Sequence, residues 1–153
     1  MKITTTKNYE LIAKLNKGVQ DIHVKEYPEY FKEYDYESIK DFYKANIENE
    51  NCVFLLIEEE NEPKGYAWIE HKHYKENPFK KAYQSIIVHQ LNIIEFHRAK
   101  GYGSYLMNEI YLIAEQKGIS KVELDYWANN SLAQKFYRKH GFTLYREYVF
   151  KEI

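Results

Sequence analysis

The sequence predicts a single α/β domain in which helices cover both faces of a mixed β-sheet. The chain has 153 residues, about the length of one domain. The spacing of its apolar residues changes between the helical and the extended period along the chain. Adjacent strands in the middle are followed by a strand–helix–strand unit, a combination typical of mixed sheets. No repeat or linker interrupts the pattern, so we expect residues 1–153 to fold as one domain.

The first half is predicted to contain a short N-terminal strand, two amphipathic helices and a β-hairpin. Apolar residues at helical spacing mark both helices, and Asn8 is a suitable N-cap for the first. An apolar run, a turn containing proline and glycine, and a second extended run indicate the hairpin. The predicted ranges are 9–23 and 38–47 for the helices, 52–57 and 66–74 for the strands, and 61–65 for the turn.

The second half is predicted to alternate between strands and helices. Gly118 is expected to end the longer helix, because glycine readily adopts the left-handed conformation found after helix C-termini. The complete order is β-α-α-β-β-β-α-β-α-β. The predicted ranges are 82–94, 122–127 and 142–150 for the strands, and 101–117 and 131–139 for the helices.

Composition and charge restrict the function classes. Cys52 is the only cysteine, so no intrachain disulfide can form. The N-terminus lacks the apolar core of a signal peptide, and no apolar run approaches the roughly 20 residues of a membrane helix. We therefore expect a cytoplasmic protein without a membrane partner. The net charge of −1 indicates no nucleic-acid partner.

Charge is distributed unevenly between the two halves. Residues 1–79 hold 16 acids and 11 Lys or Arg, a net charge of −5, whereas residues 80–153 hold 7 acids and 11 Lys or Arg, a net charge of +4. Two solvated faces would account for this, but so would a basic half that binds an anionic cofactor and an acidic half that attracts a cationic substrate.

The most informative loop lies between a predicted buried strand and a predicted helix. A helix N-terminus presents free N–H groups and a partial positive charge, and therefore binds anions. Neither a P-loop nor a dinucleotide fingerprint fits, because no Lys-Ser/Thr pair follows the glycines and Leu106 takes the place of a third small residue. By itself the loop fits either an ordinary glycine-containing connection or a diphosphate cradle, which would be formed by Arg98, Ala99, Lys100, Gly101, Tyr102, Gly103 and Ser104.

A second motif, about thirty residues later, makes the interpretation of this loop more specific. Asn130, Ala133, Phe136, Tyr137 and Gly141-Phe142 lie at the spacing N-x-x-A-x-x-F-Y-x-x-x-G-F. Together with the R-x-x-G-x-G loop, this segment resembles the GNAT superfamily of acyl-CoA-dependent N-acetyltransferases. The resemblance covers residues 84–150, and it implies a GNAT-like acyl-CoA N-acyltransferase fold with a splayed central sheet and acetyl-CoA as the cofactor.

The resemblance also implies roles for individual residues. The strand segment Leu91, Asn92 and Ile93 would bind the pantetheine arm, and a backbone N–H near Leu91 would polarise the thioester carbonyl. Asn130 would contact the cofactor, and Tyr137 would protonate the departing thiolate. The chain departs from many members in having Glu95 where they have a proline before the loop.

The sequence contains several candidates for the general base that deprotonates the amine. His89 carries an imidazole, a side chain often used as a general base, and alternation predicts that it shares a strand face with Ile87, Leu91 and Ile93. Asp125 on the next strand and Glu95 at the strand end are further candidates, and an ordered water chain could replace a dedicated base.

The acceptor side is predicted with less detail. The resemblance places His23, Tyr27 and Phe31, with Tyr30, near the acceptor pocket. His71 and His73 lack further ligands in a recognisable pattern, so no metal site is predicted. The expected function is acetylation of a small amine or a protein amino group. The alternatives are acetylation of protein N-termini and a non-catalytic acyl-CoA-binding or sensor module, and a homodimer is compatible with each.

Overall fold

The computed structural model describes residues 1–153 as a five-stranded mixed sheet with four α-helices. The spatial order of the strands is β1-β2-β3-β4-β5, in which all neighbours are antiparallel except the parallel pair β4 and β5. The predicted fold class is confirmed. The elements are β1 Lys2–Thr5, α1 Tyr9–Glu26, α2 Tyr36–Asn46, β2 Cys52–Glu59, β3 Glu62–Tyr74, β4 Tyr83–Ile93, a 3-10 helix Glu95–His97, α3 Tyr102–Gln116, β5 Val122–Glu123 and α4 Ser131–Lys139.

Two hydrophobic cores lie on opposite faces of the sheet. α1 and α2 cover one face, where Ile12 and Tyr43 pack against the aromatic residues of β2 and β3. α3 and α4 cover the other face, where Leu106 and Tyr137 pack against β2, β3 and β4. The structure therefore has the predicted layer of helices on each side. None of these helices is both long enough and apolar enough to cross a membrane.

Helix ends follow the local chemistry of the sequence. The side chain of Asn8 accepts a hydrogen bond from the backbone N–H of Leu11 at 3.0 Å, which confirms the predicted N-cap of α1. Gly118, at a φ of 67°, follows the end of α3 as predicted. Helix α4 begins at Ser131 and ends at Lys139, at the predicted positions.

The hairpin turn lies earlier than predicted. Glu60 and Asn61, both at positive φ, connect β2 to β3, so Pro63 and Gly65 belong to the second strand rather than to the turn. A register shift between Ile57 and Glu58 interrupts the β2–β3 ladder opposite this stretch. Such an interruption accommodates a proline, which has no N–H for a regular ladder.

The prediction of a final strand over residues 142–150 is wrong, because these residues have no regular secondary structure. The neighbouring strand β5 is correspondingly short and ends at Glu123 instead of residue 127. Both differences have one physical cause. A strand needs a hydrogen-bonded neighbour, and residues 124–127 and 142–150 do not pair with each other. Alternating side chains predict an extended segment but do not specify the strand with which it would pair.

Candidate active site

A slot opens where β4 and β5 separate. The two strands pair only at Ile86 with Val122 and at Ile87 with Glu123, and no pairing follows toward the C-terminal end of β4. The segment Leu91–Ile93 is therefore paired with β3 on one side only. Backbone groups of a strand that lack a neighbour can pair with an extended ligand instead. This is the splayed sheet that the sequence resemblance implies.

A β-bulge shapes β4 beside the slot. Trp68 of β3 is paired with Gln90, whereas Ile69 is paired with Val88, so His89 is the extra residue. The bulge places His89 and Gln90 on the same face, where the His89 ring lies 4.4 Å from that of Trp68. The prediction that His89 shares a face with Leu91 and Ile93 is therefore wrong, because strict alternation fails at a bulge.

His89 has a carboxylate partner that the sequence did not reveal. Its Nε2 lies 2.7 Å from Oε2 of Glu70, and both side chains are partly exposed. When the Nε2–H group of the ring donates a hydrogen bond to the carboxylate, the other ring nitrogen is free to act as a base. The two residues are 19 positions apart, and only the β3–β4 pairing together with the bulge brings them into contact.

The loop between β4 and α3 leads into an uncapped helix N-terminus, and we call this loop and the first turn of α3 the cradle. No side chain caps α3, and the N-cap residue Gly101 has a φ of 91°, which a residue with a side chain rarely adopts. Ala99 is also in the left-handed region, at 62°. The first-turn N–H groups of Tyr102, Gly103 and Ser104 precede the first bond of the helix ladder, which runs from Tyr105 to Gly101.

Side chains around the cradle are mostly engaged by the protein itself. Arg98 donates from Nε to the carbonyl of Ile93 at 3.1 Å, which orders the loop against the end of β4. The Tyr102 hydroxyl donates to Glu59 at 2.5 Å, and the Ser104 hydroxyl lies 3.0 Å from Nε2 of His140. The groups left for a diphosphate are therefore backbone N–H groups, assisted by the positive charge of Lys100, which is exposed.

Gly103 brings the two sequence motifs into direct contact. A Cβ at this position would lie 3.1 Å from the ring of Phe136 in α4 and 3.7 Å from Leu91. The sequence predicted Gly103 as part of the diphosphate-binding loop. The structure gives this glycine a packing role as well, because α3 and α4 can pack this closely only without a side chain there.

Tyr137 lies in the core on the face of the sheet covered by α3 and α4. Its ring is stacked with that of Tyr126 at 6.0 Å and contacts Phe142 edge-on at 5.5 Å. Burial raises the pKa of Tyr137 to about 12, and the nearby Tyr111 phenol adds to this increase. The phenol is therefore protonated at any physiological pH.

Asn130 and Asp125 occupy the loop that follows β5. The side-chain oxygen of Asn130 accepts from the N–H of Ala133 at 3.0 Å and so caps α4, an assignment not made from the sequence. Asp125 is exposed and lies two residues beyond Glu123, the last residue of β5.

The predicted acceptor residues meet in one aromatic cluster. The ring of Phe31 is stacked on His23 at 4.5 Å, and burial is the main factor that lowers the pKa of this histidine. Tyr27 and Phe31 both contact Trp127, at 4.5 Å and 5.1 Å. The Tyr27 hydroxyl also accepts from the N–H of Asn129 at 2.9 Å. The cluster therefore connects the loop after α1 with the loop after β5.

Comparison with known proteins agrees with this geometry. A sequence model described as the Acetyltransferase (GNAT) family matches residues 16–142. The chain belongs to this GNAT acetyltransferase family. No curated protein matches the sequence of this GNAT chain.

Solved structures share the complete GNAT architecture of the chain. The tetramutant of the BH1408 protein from Bacillus halodurans is 21% identical, with a TM-score of 0.94 over 100% of both chains. An aminoglycoside antibiotic 6'-N-acetyltransferase from Acinetobacter haemolyticus is 12% identical, with a TM-score of 0.75 over 100% of this chain and 98% of that one. At these identities the likeness concerns the fold.

A cavity of about 480 Å³ lies on the α1–α2 side of the GNAT fold. Its floor is a buried polar cluster in which Gln90 accepts from the hydroxyls of Tyr43, at 2.5 Å, and Tyr66, at 2.6 Å, and from the amide of Asn16, at 3.2 Å. Phe31 forms part of the wall. Because Gln90 directly precedes Leu91, the cavity adjoins the part of β4 that borders the slot.

Asp35 is a charged residue of the cavity wall that was not predicted from the sequence. Its carboxylate accepts hydrogen bonds from the hydroxyl and the N–H of Ser38, and these bonds hold the pKa of Asp35 below its usual value. The carboxylate is therefore ionised at neutral pH while it caps α2. A cap signal was present in the sequence, since Asp35 directly precedes the helix, but its position at a cavity depends on the fold.

Proposed function

We propose that this GNAT protein transfers the acetyl group of acetyl-CoA to a primary amine by direct attack in a ternary complex. The observation that carries the proposal is the continuous arrangement of an uncapped helix N-terminus, a half-paired strand and a buried phenol. The first suits a diphosphate, the second an extended arm with amide groups, and the third a leaving thiolate. These residues fit acetyl-CoA, which supplies the reactive thioester when it is bound.

Each part of the chain has a distinct task in the proposed reaction. The N–H groups of Tyr102, Gly103 and Ser104 hold the diphosphate at the start of α3. The half-paired segment Leu91–Ile93 aligns the pantetheine arm, and a backbone N–H near Leu91 donates to the developing oxyanion. Juxtaposition of the two reactants supplies much of the acceleration, up to roughly 7–11 kcal/mol in ideal cases. Asn130 contributes through its carboxamide nitrogen, because its oxygen caps α4.

Tyr137 acts in this proposal mainly as a hydrogen-bond donor to sulfur. A phenol with a pKa of about 12 is a weaker acid than a thiol with a pKa of about 8.5. Complete transfer of its proton to the free thiolate would therefore be unfavourable by roughly 5 kcal/mol. Donation of a hydrogen bond to the partly charged sulfur in the transition state avoids this cost. The proton that the attacking amine loses finally converts the thiolate to the free thiol of CoA.

His89, held by Glu70, is the proposed general base, and Asp125 is the alternative. Replacing His89 with Gln is expected to lower kcat/KM at neutral pH by about 10- to 100-fold and to remove the decline of the rate in acid. Glu70→Gln is expected to lower kcat less and to retain the decline, because the imidazole remains and loses only its orienting partner. Complete pH profiles of kcat/KM for both variants are the measurement, with Asp125→Asn as the comparison. An acid decline that persists in His89→Gln and disappears in Asp125→Asn contradicts the assignment.

The proposed acceptor is a cationic amine that enters through the cavity at Gln90. Asp35→Asn is the informative variant, because asparagine retains the α2 cap but removes the negative charge. The KM for a polyamine or a Lys side chain is expected to rise up to about fivefold with kcat nearly unchanged, since an exposed charge pair contributes about 1 kcal/mol at most. Asp41→Asn on the same helix is the control and should change nothing. A KM that is equal in wild type and Asp35→Asn places the acceptor elsewhere.

An assay of released CoA thiol tests the function as a whole. Acetyl-CoA is incubated with polyamines, aminoglycoside-like amines, lysine peptides and peptides with a free N-terminus, and the acetylated product is identified by mass spectrometry. Acetylation confined to peptide N-termini would indicate an N-terminal acetyltransferase. Tight binding of acetyl-CoA without turnover on any amine would indicate a binding module and overturn the proposal.

A further inference from the structure

The floor of the cavity of about 480 Å³ is a polar cluster whose members hold one another in place. The side-chain oxygen of Gln90 accepts from the hydroxyls of Tyr43, at 2.5 Å, and Tyr66, at 2.6 Å. Nδ2 of Asn16 lies 3.2 Å from this oxygen and 3.1 Å from each hydroxyl. Burial raises the pKa of Tyr43 to about 12 and also raises the pKa of Tyr66, so both phenols keep their protons.

The protons of this cluster determine how the two amides face each other. The contacting amide atoms of Asn16 and Gln90 are 3.2 Å apart, and two oxygens or two NH2 groups would repel each other at that distance. One amide must therefore present its oxygen and the other its NH2 group. Reversing both amides together satisfies the same condition, and in either case one hydrogen-bond donor and one acceptor are left over.

The two remaining amide atoms are directed to the cavity. Oδ1 of Asn16 and Nε2 of Gln90 have no hydrogen-bond partner in the protein, and both residues line the cavity. Neither atom is closed off from solvent, although Asn16 is only 3% exposed. A ligand that enters the cavity displaces water from these atoms, and it binds well only if it replaces the lost hydrogen bonds.

We propose that this floor selects the acceptor of the acetyl group. The selected amine carries, close to its nitrogen, an uncharged group that both donates and accepts a hydrogen bond. Hydroxyl and carboxamide groups have this property, whereas the methylene chain of a simple polyamine does not. The inference rests on the proposed function and adds Gln90 and Asn16 to it as residues that determine specificity.

The position of Gln90 brings this selection close to the reaction. Gln90 directly precedes Leu91, near which the thioester carbonyl lies in the proposed complex, so a group bound on the floor is near the attacking nitrogen. The hydrogen bonds from Tyr43 and Tyr66 also prevent the Gln90 amide from turning to suit another ligand. An acceptor with a methyl group in place of the polar group therefore leaves the floor unpaired.

Two matched pairs of amines test the selection in the wild-type protein. We compare 4-aminobutan-1-ol with pentylamine, and 4-aminobutanamide with 4-methylpentylamine. The members of each pair have nearly the same shape and one amino group each. The polar member is expected to have a kcat/KM about 10-fold or more above that of its apolar partner in at least one pair. The pair that shows the preference distinguishes a hydroxyl from a carboxamide, and equal values within both pairs overturn the proposal.

Gln90→Met assigns the preference to the cluster. Methionine has a similar shape but offers no amide, so the ratio of kcat/KM values within the selective pair is expected to fall below about threefold. Gln20→Met is the matched control, because Gln20 lines the same cavity while its amide donates to the carbonyl of Lys32 outside the cluster. A lower fraction of folded protein affects both members of a pair equally and leaves the ratio unchanged. A ratio that persists in Gln90→Met, or disappears in Gln20→Met, contradicts the assignment.

Calorimetry separates this inference from the proposed function. Each amine is titrated into protein saturated with CoA, so that no acetyl group is transferred and only binding is measured. The polar member of the selective pair is expected to have a Kd about 10-fold below that of its apolar partner. Turnover without a preference overturns the selection and leaves the proposed function intact. Preferential binding without turnover supports the selection and contradicts the proposed function.

Discussion

Replacing Tyr137 with phenylalanine is expected to lower kcat about 100-fold while leaving the affinity for CoA within about twofold of wild type. The substitution removes one oxygen from a side chain whose ring is held by Tyr126 and Phe142, so the packing of α4 is preserved. In the proposed reaction the lost donor acts on sulfur in the transition state and not on the diphosphate, so CoA binding should be retained. Single-turnover rates and calorimetry with CoA measure the two effects separately.

The pH profile adds a second expectation for this variant. Because burial raises the pKa of Tyr137 to about 12, the phenol keeps its proton throughout the usual assay range. Loss of the acid should therefore lower the rate by the same factor at every accessible pH and should not remove an alkaline decline. Tyr111→Phe is the control, because it deletes another buried phenol of the same core, one that lies near Tyr137 and has no proposed role in the reaction. Equal kcat values for Tyr137→Phe and wild type would remove the proposed role.

Replacing Gly101 with valine is expected to weaken CoA binding by about 100-fold or more. Gly101 lies at a φ of 91°, and a β-branched residue is strongly disfavoured there, so the loop must rearrange and the first-turn N–H groups of α3 lose their common direction. Calorimetry of CoA binding measures the loss, and thermal unfolding measures the cost in stability.

Gly118→Val is the control for backbone strain. Gly118 lies at a φ of 67° just beyond the other end of the same helix, and nothing lies within 4 Å of a Cβ placed there. It should lower the melting temperature by an amount similar to Gly101→Val while preserving CoA affinity. Gly103→Val is less informative, because its side chain would collide with Phe136 and disturb α4 directly. Full CoA affinity in Gly101→Val would mean that the diphosphate binds elsewhere.

The parts of the site that sequence predicts are those determined by local chemistry. Glycines, charges and a helix start within seven residues define the cradle, and Asn8 and Gly118 define helix ends through contacts with their own neighbours. The aromatic residues after α1 were placed near the acceptor by family resemblance, and they do form one cluster, although Trp127 was not anticipated.

What the sequence did not predict depends on pairing between distant segments. The Glu70–His89 contact follows from a bulge, which shifts the core face of β4 from Ile86 and Val88 to Leu91 and Ile93. The sequence does not show this shift, because Ile87 and Ile94 are apolar as well. The prediction of the last strand was wrong for a related reason. Alternation over residues 142–150 describes an extended chain, whereas a strand also requires an edge in reach, and Tyr145 makes only a side-chain contact to β5.

A Cβ at position 103 would lie only 3.1 Å from the ring of Phe136, so in the proposed reaction the two ends of the cofactor site would be mechanically coupled. Binding of the diphosphate would stiffen the first turn of α3, which packs against the helix that carries Tyr137. An acetylated CoA fragment that lacks the nucleotide should therefore react more slowly even at saturating concentration, because the position of α4 is then less restricted. A side chain at position 103 should be tolerated only together with a smaller residue at position 136, so we expect substitutions at these two positions to be coupled.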